Sequence, residues 1–310
     1  EYRRHGELNY TNLFQETDVT IQVENEESIV NTEMTDLKNY LKMPEKQGCG
    51  CLYNGRNTQC QTFAYSNPQI PDYSVHNISR IGTSKKILAD WINRNIYSID
   101  DIDNPEVLKG YKHLQYIAHI EGQAIANSQE ILNILKDLEF PIHFLDYEAY
   151  SSAIPEFDGF TPWQHIPFQY SIHILNDDGS LEHREYLIKE PTNDITKSLV
   201  ENLAKDVHDT GTIVVWYAPF EKSRNKDMAM MHPEYSDFIG NLNNRIFDLM
   251  KVFSDGHYVD PGFRGSNSLK SVLPVLVPHL LYTDLEIQSG IDAPVNWRKM
   301  ISKETDPLEK

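Results

Sequence analysis

Basic residues, cysteines and long apolar runs are all scarce in this sequence. Lysine and arginine number 28 against 46 acidic residues, giving a net charge of −18 over 310 residues. Such a surface argues against nonspecific nucleic-acid binding, although metal-binding acids and a local basic patch can coexist on an acidic body. The most apolar stretch, residues 272–282, is interrupted by Pro274 and Pro278. With no signal peptide either, the expectation is a soluble cytoplasmic protein that contacts no membrane.

Two further absences bear on the class of function and on whether the chain is part of a longer protein. No Gly-x-Ser-x-Gly motif is present, so a hydrolase with a serine nucleophile has no support. The sequence begins at Glu1 without an initiator Met, and its first residues already lie within a sequence pattern. We therefore expect a piece of a longer protein. Nothing in the sequence predicts an oligomeric state.

The three cysteines, Cys49, Cys51 and Cys60, all lie in one glycine-containing stretch. In a cytoplasmic chain, such clustering indicates metal or iron–sulfur ligation more than a disulfide. Three thiolates are an incomplete set, because iron–sulfur clusters and structural zinc usually take four ligands. The alternatives are an iron–sulfur cluster, a zinc ion with its missing ligand outside the chain, or three ordinary thiols.

Residues 141–150 form a short apolar and aromatic run that predicts a buried strand. Because strand side chains alternate, Asp146 and Glu148 share one face while Leu145 and Tyr147 take the other. Two adjacent acids repel each other and are costly to desolvate unless a cation lies between them. Mg²⁺ and Mn²⁺ take oxygen ligands of this kind. The alternative is that both acids are simply solvated at the strand end.

A second candidate ligand follows the apolar strand predicted over residues 212–217. Pro219 suits the first turn of a helix, and Glu221 then lies in that opening turn. Taken alone, Glu221 is better explained as an acid that interacts favourably with the helix dipole. Asp248, in another short apolar element, is a weaker candidate. Three basic residues could position a phosphate backbone: Lys222, Arg224 and Lys226.

Helical periodicity and capping residues predict several further elements. The predicted helices are residues 26–43, 85–93, 113–138, 195–207 and 269–276. Between residues 140 and 217 the order strand–strand–strand–helix–strand predicts an α/β domain with a mixed sheet. A domain boundary is predicted near residue 138, which separates a smaller, mostly helical, cysteine-containing region (1–138) from the sheet domain (139–310).

The motifs at residues 144–148 (Phe-Leu-Asp-Tyr-Glu), 216–221 (Trp-Tyr-Ala-Pro-Phe-Glu) and 268–274 (Ser-Leu-Lys-Ser-Val-Leu-Pro) carry a resemblance. The predicted order is an antiparallel three-strand meander that carries Asp-x-Glu, then a helix, an apolar strand that ends before Glu221, and a short element with Asp248. This order resembles the ribonuclease H-like fold and is most similar to that of the DEDD (DnaQ-like) 3′–5′ exonucleases. More closely, the motifs resemble an uncharacterised bacterial domain-of-unknown-function family. That family joins a RecB-like nuclease region with a cysteine cluster to a ribonuclease H-like exonuclease domain.

The resemblance implies that residues 1–138 are the end of a RecB-like region and that the exonuclease domain is incomplete at its C-terminal end. The second motif departs from the exonucleases, because Glu221 stands for Asp and Tyr217 stands for the preceding Asn. His279 and Asp284 have the spacing of the third motif, but their proline-flanked context makes the match coincidental.

The expected function is therefore a metal-dependent nuclease, a 3′–5′ exonuclease that hydrolyses phosphodiester bonds at single-stranded ends of DNA or RNA. The resemblance assigns two Mg²⁺ or Mn²⁺ ions to Asp146, Glu148 and Glu221, with Asp248 orienting the set. The alternative is a noncatalytic nucleic-acid- or protein-binding module on the same fold. The net charge of −18 and the Glu in the second motif favour that alternative.

Overall fold

The computed structural model describes residues 2–44, 48–192, 194–280, 290 and 292–302. The chain divides into two compact units. The N-terminal unit comprises Leu8–His76 and Arg80–Asp101, and the C-terminal unit comprises the residues up to Glu7, Asn77–Ser79 and the chain from Ile102 onward. The domain boundary near residue 138 stays a prediction.

The N-terminal unit is helical. Its helices are α1 (Tyr10–Leu13), α2 (Thr20–Tyr40), α3 (Phe63–Ser66) and α4 (Lys85–Asn93). Helix α4 buries Leu88, Trp91 and Ile92 at helical spacing, as its periodicity predicts. Helix α2 has 21 residues and buries none of them. In the part of the chain that the structure describes, no helix is both long and apolar enough to cross a membrane.

The C-terminal unit contains the remaining helices and all the strands of the described chain. Its helices are α5 (Tyr111–Glu121), α6 (Ser128–Leu135), α7 (Lys197–Asp206), α8 (Ala218–Met231), α9 (Ser236–Asn244), α10 (Met250–Ser254), α11 (Leu269–Leu276) and α12 (Asp292–Ile301). Its strands are β1 (Ile125–Ala126), β2 (Ile142–Tyr150), β3 (Ile166–Leu175), β4 (Leu181–Leu187), β5 (Ile213–Val215), β6 (Ile246–Asp248) and β7 (Tyr258–Val259).

Five strands form one mixed sheet in the order β4-β3-β2-β5-β6, and β1 pairs with β7 in a separate ribbon. Strands β2, β3 and β4 form an antiparallel meander, whereas β5 runs parallel to β2, and β6 parallel to β5. The predicted α/β class, a mixed sheet flanked by helices after a helical N-terminal region, is confirmed.

The main core lies on one face of this sheet. Strand β2 sends Leu145 and Tyr147 into it, while Phe144 and Asp146 on the opposite face are exposed. Side chains from α7, α8, α9 and α12 cover the core face. The alternation predicted for this strand is therefore confirmed, and it leaves the two acids on the face opposite the core.

The single helix predicted over residues 113–138 is wrong, because the chain breaks there into α5, β1 and α6. Gly122 ends α5 with a left-handed backbone, φ +65°, a conformation that glycine adopts without steric cost. Asn127 then caps α6, its side chain accepting a hydrogen bond from the Glu130 N–H. The short strand between them pairs with β7. The capping residues Gly122 and Asn127 thus divide this stretch into separate elements, although apolar residues recur along it at helical spacing.

Candidate functional site

Asp146 and Glu148 occupy consecutive same-face positions on the central strand β2, paired with Ser171 and Gln169 of β3. Asp146 is exposed and Glu148 is half-buried. Enough protein nevertheless surrounds the Asp146 carboxylate that the loss of solvation raises its pKa. Burial also raises the pKa of Glu148, the Asp146 charge raises it further, and Lys270 opposes both. The protein therefore disfavours two bare negative charges on this strand.

Glu221 lies in the first turn of α8 and is only 2 % exposed. Its Oε2 atom is buried and has no hydrogen-bond partner. Burial raises the pKa of Glu221 to about 8, and the charges of Asp146, Glu148 and Asp248 add to the shift while Arg224 opposes it. The carboxyl group is thus largely protonated at neutral pH, which is unusual for a glutamate. A group perturbed in this way by burial and by specific neighbouring charges marks a candidate functional site.

Asp248, at the end of β6, fixes the junction between β5 and α8. Its carboxylate accepts hydrogen bonds from the backbone N–H groups of Tyr217 (3.1 Å), Ala218 (2.9 Å) and Met250 (3.2 Å). Tyr217 has φ +90°, a strained conformation for a residue other than glycine and one that asparagine tolerates better. Asp248 therefore orients the start of α8, and its orienting role toward the other acids stays a prediction.

A buried polar network joins α8 to the core face of β2. Asn225, which is fully buried, accepts a 2.8 Å hydrogen bond from the Tyr147 hydroxyl and donates one of 2.8 Å to Asn243. Sequence reasoning missed Asn225, because a lone Asn in a polar helix carries no signal without its partner. The network holds the helix that carries Glu221 against the strand that carries Asp146.

These acids, Asp146, Glu148, Glu221 and Asp248 (the acid site), interact electrostatically but do not form a closed ligand shell. Throughout the described residues, only the three cysteines bring three potential ligand atoms within 4.8 Å of one another. A cation shared by three of these carboxylates would require their side chains to turn toward it.

The three basic residues of α8 do not form one patch. Lys222 and Lys226 are exposed, whereas Arg224 is only 7 % exposed. The Arg224 guanidinium lies 4.9 Å from the centre of the Phe220 ring and 3.6 Å from Asp227. Burial lowers its pKa, with Asp227 opposing the shift. Of the three, the two lysines present their charges at the surface.

The thiols of Cys49, Cys51 and Cys60 (the thiol trio) are unpaired and lie within 4.8 Å of one another. They could bind a metal ion such as zinc. A hydrogen bond with Thr62 lowers the pKa of Cys60, and the neighbouring thiols lower it further, which favours the thiolate that a metal binds. Sequence reasoning missed Asn67, which is 1 % exposed and donates a 3.4 Å hydrogen bond to Cys49 Sγ.

The loop that carries the thiol trio is fixed by close backbone packing. A Cβ atom at Gly55 would lie 2.9 Å from both Cα and N of Gly82, so no larger residue fits without displacing the backbone. His76 adds a 2.8 Å hydrogen bond to the Leu52 carbonyl. Both contacts lie within the N-terminal unit, and both restrain the chain between Cys51 and Cys60.

Comparison with known proteins identifies one family. Residues 143–268 match the family model described as a domain of unknown function (DUF2779). The chain contains a DUF2779 domain. The predicted resemblance to a domain-of-unknown-function family is confirmed for that segment. The DUF2779 domain includes the whole acid site, and the thiol trio lies outside it. No curated protein and no solved structure matches the chain.

Proposed function

We propose that the DUF2779 domain is a metal-dependent nuclease that hydrolyses phosphodiester bonds at single-stranded ends of DNA or RNA. The observation that carries this proposal is Glu221, a buried carboxyl group with an unpartnered oxygen and a pKa of about 8 beside three further acids. An arrangement of this kind is costly in a stable fold unless a cation binds there.

The donor set fits a hard divalent cation, since carboxylate oxygens are the ligands that Mg²⁺ and Mn²⁺ take. Asp146, Glu148 and Glu221 would hold two such ions, and Asp248 would keep Glu221 in position through its hydrogen bonds to the start of α8. When bound, the ions would supply Lewis acidity and an activated water.

The protein's own contribution is proton release and positioning. Glu221, whose proton is held by burial and by the charge of Asp146, would release that proton to solvent on binding a cation, because a cation favours the ionised carboxylate. Lys222, exposed in the same turn of α8, contacts a phosphate of the strand end. The 3′–5′ direction rests on the resemblance to DEDD exonucleases alone.

The test is hydrolysis of end-labelled single-stranded DNA and RNA by the purified chain with Mn²⁺. Asp146→Asn removes one ligand charge and should lower the rate at least about 100-fold, since even residues behind the ligands typically cost 10- to 100-fold. Asp177→Asn, in the exposed turn between β3 and β4, is the matched control and should retain full activity. Equal rates for the two variants would overturn the proposal.

A second candidate is a noncatalytic nucleic-acid- or protein-binding module. The separation of the carboxylate oxygens and the burial of Arg224 favour it. Strand-end binding that needs neither Mn²⁺ nor Asp146, with no hydrolysis, would support this candidate over the nuclease.

For the thiol trio we propose a zinc ion in place of an iron–sulfur cluster. Tetrahedral zinc with bonds of about 2.3 Å spaces its thiolates about 3.8 Å apart, which agrees with three sulfurs within 4.8 Å. A cluster distributes its thiolates over several irons and so separates them further. Unpaired thiols also fit a cytoplasmic location. Metal analysis should find zinc, and iron with acid-labile sulfide would overturn the assignment.

A further inference from the structure

Helix α2 (Thr20–Tyr40) is the longest helix of the described residues, and all 21 of its residues are exposed. An isolated helix is marginal in water even when it is rich in alanine, because most helical stability in proteins comes from the packing of one face. Helix α2 contains no alanine, and seven of its residues are β-branched, which favours a helix less. The described part of the chain therefore provides no packing that would stabilise this helix.

Apolar side chains follow one side of α2 and continue into Leu41, the residue after it. Val23, Val30 and Leu37 succeed one another at intervals of seven residues, and Met34 and Leu41 share that interval. Leu41 keeps a helical backbone, with φ −64° and ψ −17°. These five side chains (the apolar seam) are between 48 % and 73 % exposed. A seven-residue apolar repeat is the pattern of a coiled-coil helix, so it predicts a second helix as the partner.

The side chains that flank the apolar seam are acidic. Helix α2 carries five acidic residues against one lysine. In the seven-residue repeat, Glu24, Glu26 and Glu33 lie at the positions beside the seam, which decide partner choice in coiled coils. Glu27 lies within the seam itself, between Val23 and Val30. The surface that a partner helix would contact is therefore apolar along its centre and negative along its edges.

This charge selects among the possible occupants. A second copy of α2 in parallel register would bring the two Glu27 side chains together and add the flanking acids of both copies, which is unfavourable. The same acids repel the phosphates of nucleic acids and of anionic lipid surfaces. A helix with Lys or Arg beside its own apolar positions instead offers a cation to each flanking acid. Charge complementarity thus favours a basic helical partner.

We propose that α2 binds an amphipathic helix of another protein, in a short coiled coil in which Lys or Arg side chains of that helix flank the apolar seam. The cations of that helix lie opposite Glu24, Glu26 and Glu33. Binding buries the apolar seam and so supplies the packing that α2 lacks. The site belongs to the N-terminal unit, and it depends neither on the nuclease proposal nor on zinc at the thiol trio.

The probe is a fluorescently labelled synthetic peptide of about four heptads, with Leu at the seam positions and Lys at the flanking positions. It is titrated with the full chain, and binding is followed by fluorescence anisotropy. A comparison peptide has Glu in place of each flanking Lys. The Lys peptide should bind at least about tenfold more tightly than the Glu peptide, because several flanking charge pairs change from attraction to repulsion.

Substitutions of two neighbouring residues test the apolar seam. Val30→Glu should weaken binding of the Lys peptide at least about tenfold, because the new carboxylate loses its solvation in the interface. Ile29→Glu is the matched control, since Ile29 is also 51 % exposed but lies outside the seam, and it should bind within about twofold of the natural chain. Both variants have the same net charge, so general attraction between an acidic chain and a basic peptide is equal in the two.

A second pair of variants tests the flanking charge. Glu33→Gln removes one acid beside the seam and should weaken binding of the Lys peptide about two- to fivefold. Asp36→Asn removes the same charge from an exposed position on the far side of α2 and should have a smaller effect.

Three outcomes would overturn the proposal. One is the absence of binding by the Lys peptide, and another is equal affinity for the Lys and Glu peptides. The third is equal affinity of the Val30→Glu and Ile29→Glu variants for the Lys peptide. Analytical ultracentrifugation tests the rival occupant, because a dimer of the natural chain that Val30→Glu dissociates and Ile29→Glu retains would assign the apolar seam to a second copy.

Discussion

The thiol trio comes from one loop of the N-terminal unit, whereas the acid site draws its members from β2, α8 and β6 of the C-terminal unit. The thiols already lie within 4.8 Å of one another, and the carboxylates do not converge in this way. The four acids also influence one another electrostatically, since the charges of Asp146, Glu148 and Asp248 add to the raised pKa that burial gives Glu221.

The comparison shows two ways in which a fold can bring candidate metal ligands together. The thiol trio depends on local chain geometry, with Asn67 and the Gly55 contact restraining the loop. The acid site depends on topology, because the parallel pairing of β2, β5 and β6 brings three distant segments to neighbouring positions. The thiol trio should therefore tolerate changes in the sheet, and the acid site should tolerate changes in the cysteine loop.

The largest expected effect is on the acid site. Because the folded-state pKa of Glu221 is raised to about 8 from its ordinary value of 4.5, the native state holds a proton that the unfolded state releases. Stability therefore falls as pH rises from about 4.5 to 8, by about 4 to 5 kcal/mol in total. Glu221→Gln is neutral at every pH and should escape this loss.

Urea unfolding in EDTA at pH 5 and pH 9 measures this effect. The variant should differ little from the natural chain at pH 5 and be clearly more stable at pH 9. Glu185→Gln, which removes an exposed carboxylate on β4, is the matched control. If Glu221→Gln shifted stability equally at both pH values, Glu221 would not be the perturbed group described here.

Cys51→Ser should break the thiol trio and leave the acid site intact. Removing one of three thiolates should weaken zinc binding by at least about 100-fold, given that a full structural zinc site contributes about 10 to 16 kcal/mol. Competition with a chelating dye measures the zinc affinity. In the reciprocal control, Asp146→Asn should retain zinc affinity, and Cys51→Ser should retain Mn²⁺ binding. A loss of both metals in either variant would contradict the independence of the two sites.

The pH dependence of Mn²⁺ binding sharpens the contrast further. A cation must displace the proton from Glu221, so Mn²⁺ affinity should rise about tenfold per pH unit between pH 6 and pH 8 and level off above the pKa of about 8. Calorimetry across this range gives the slope. Glu221→Gln should abolish that slope, and a slope that persisted in the variant would assign the titration to another group.

The smallest expected effect concerns Asn67. Its amide donates a 3.4 Å hydrogen bond to Cys49 Sγ, so Asn67→Ala should weaken zinc binding about two- to tenfold, the contribution of one ordinary hydrogen bond. The same dye competition measures it. Asn57→Ala, an exposed asparagine in the same loop, controls for general loosening. Unchanged affinity for Asn67→Ala would show that the buried amide serves packing alone.

Much of the fold follows from sequence pattern. The alternation in β2 predicts which face carries Asp146 and Glu148, and Pro219 correctly predicts the start of α8. Helix α12 has no such signal, because its polar surface conceals the two residues it buries, Trp297 and Ile301. The Trp297 indole donates a 2.8 Å hydrogen bond to the Ile188 carbonyl, a contact between segments far apart in the chain.

The candidate site is less predictable than the fold. Sequence indicates that Glu221 opens a helix, but its burial depends on the Tyr217 backbone and on the hydrogen bonds of Asp248. Arg224 lies two residues from each of the exposed side chains Lys222 and Lys226, and yet it is buried against Phe220. Neither outcome follows from residue type or spacing, because both depend on which long-range partner faces the side chain.

The contact between Gly55 and Gly82 has a consequence for metal selectivity. Two backbones that touch without side chains between them cannot move closer, and the midpoint of the cysteine loop is therefore held before any ion arrives. An ion of unsuitable radius can reach all three sulfurs only by distorting the protein. Discrimination among metals at the thiol trio would then come from the stiffness of the loop as well as from the strength of the bonds to sulfur.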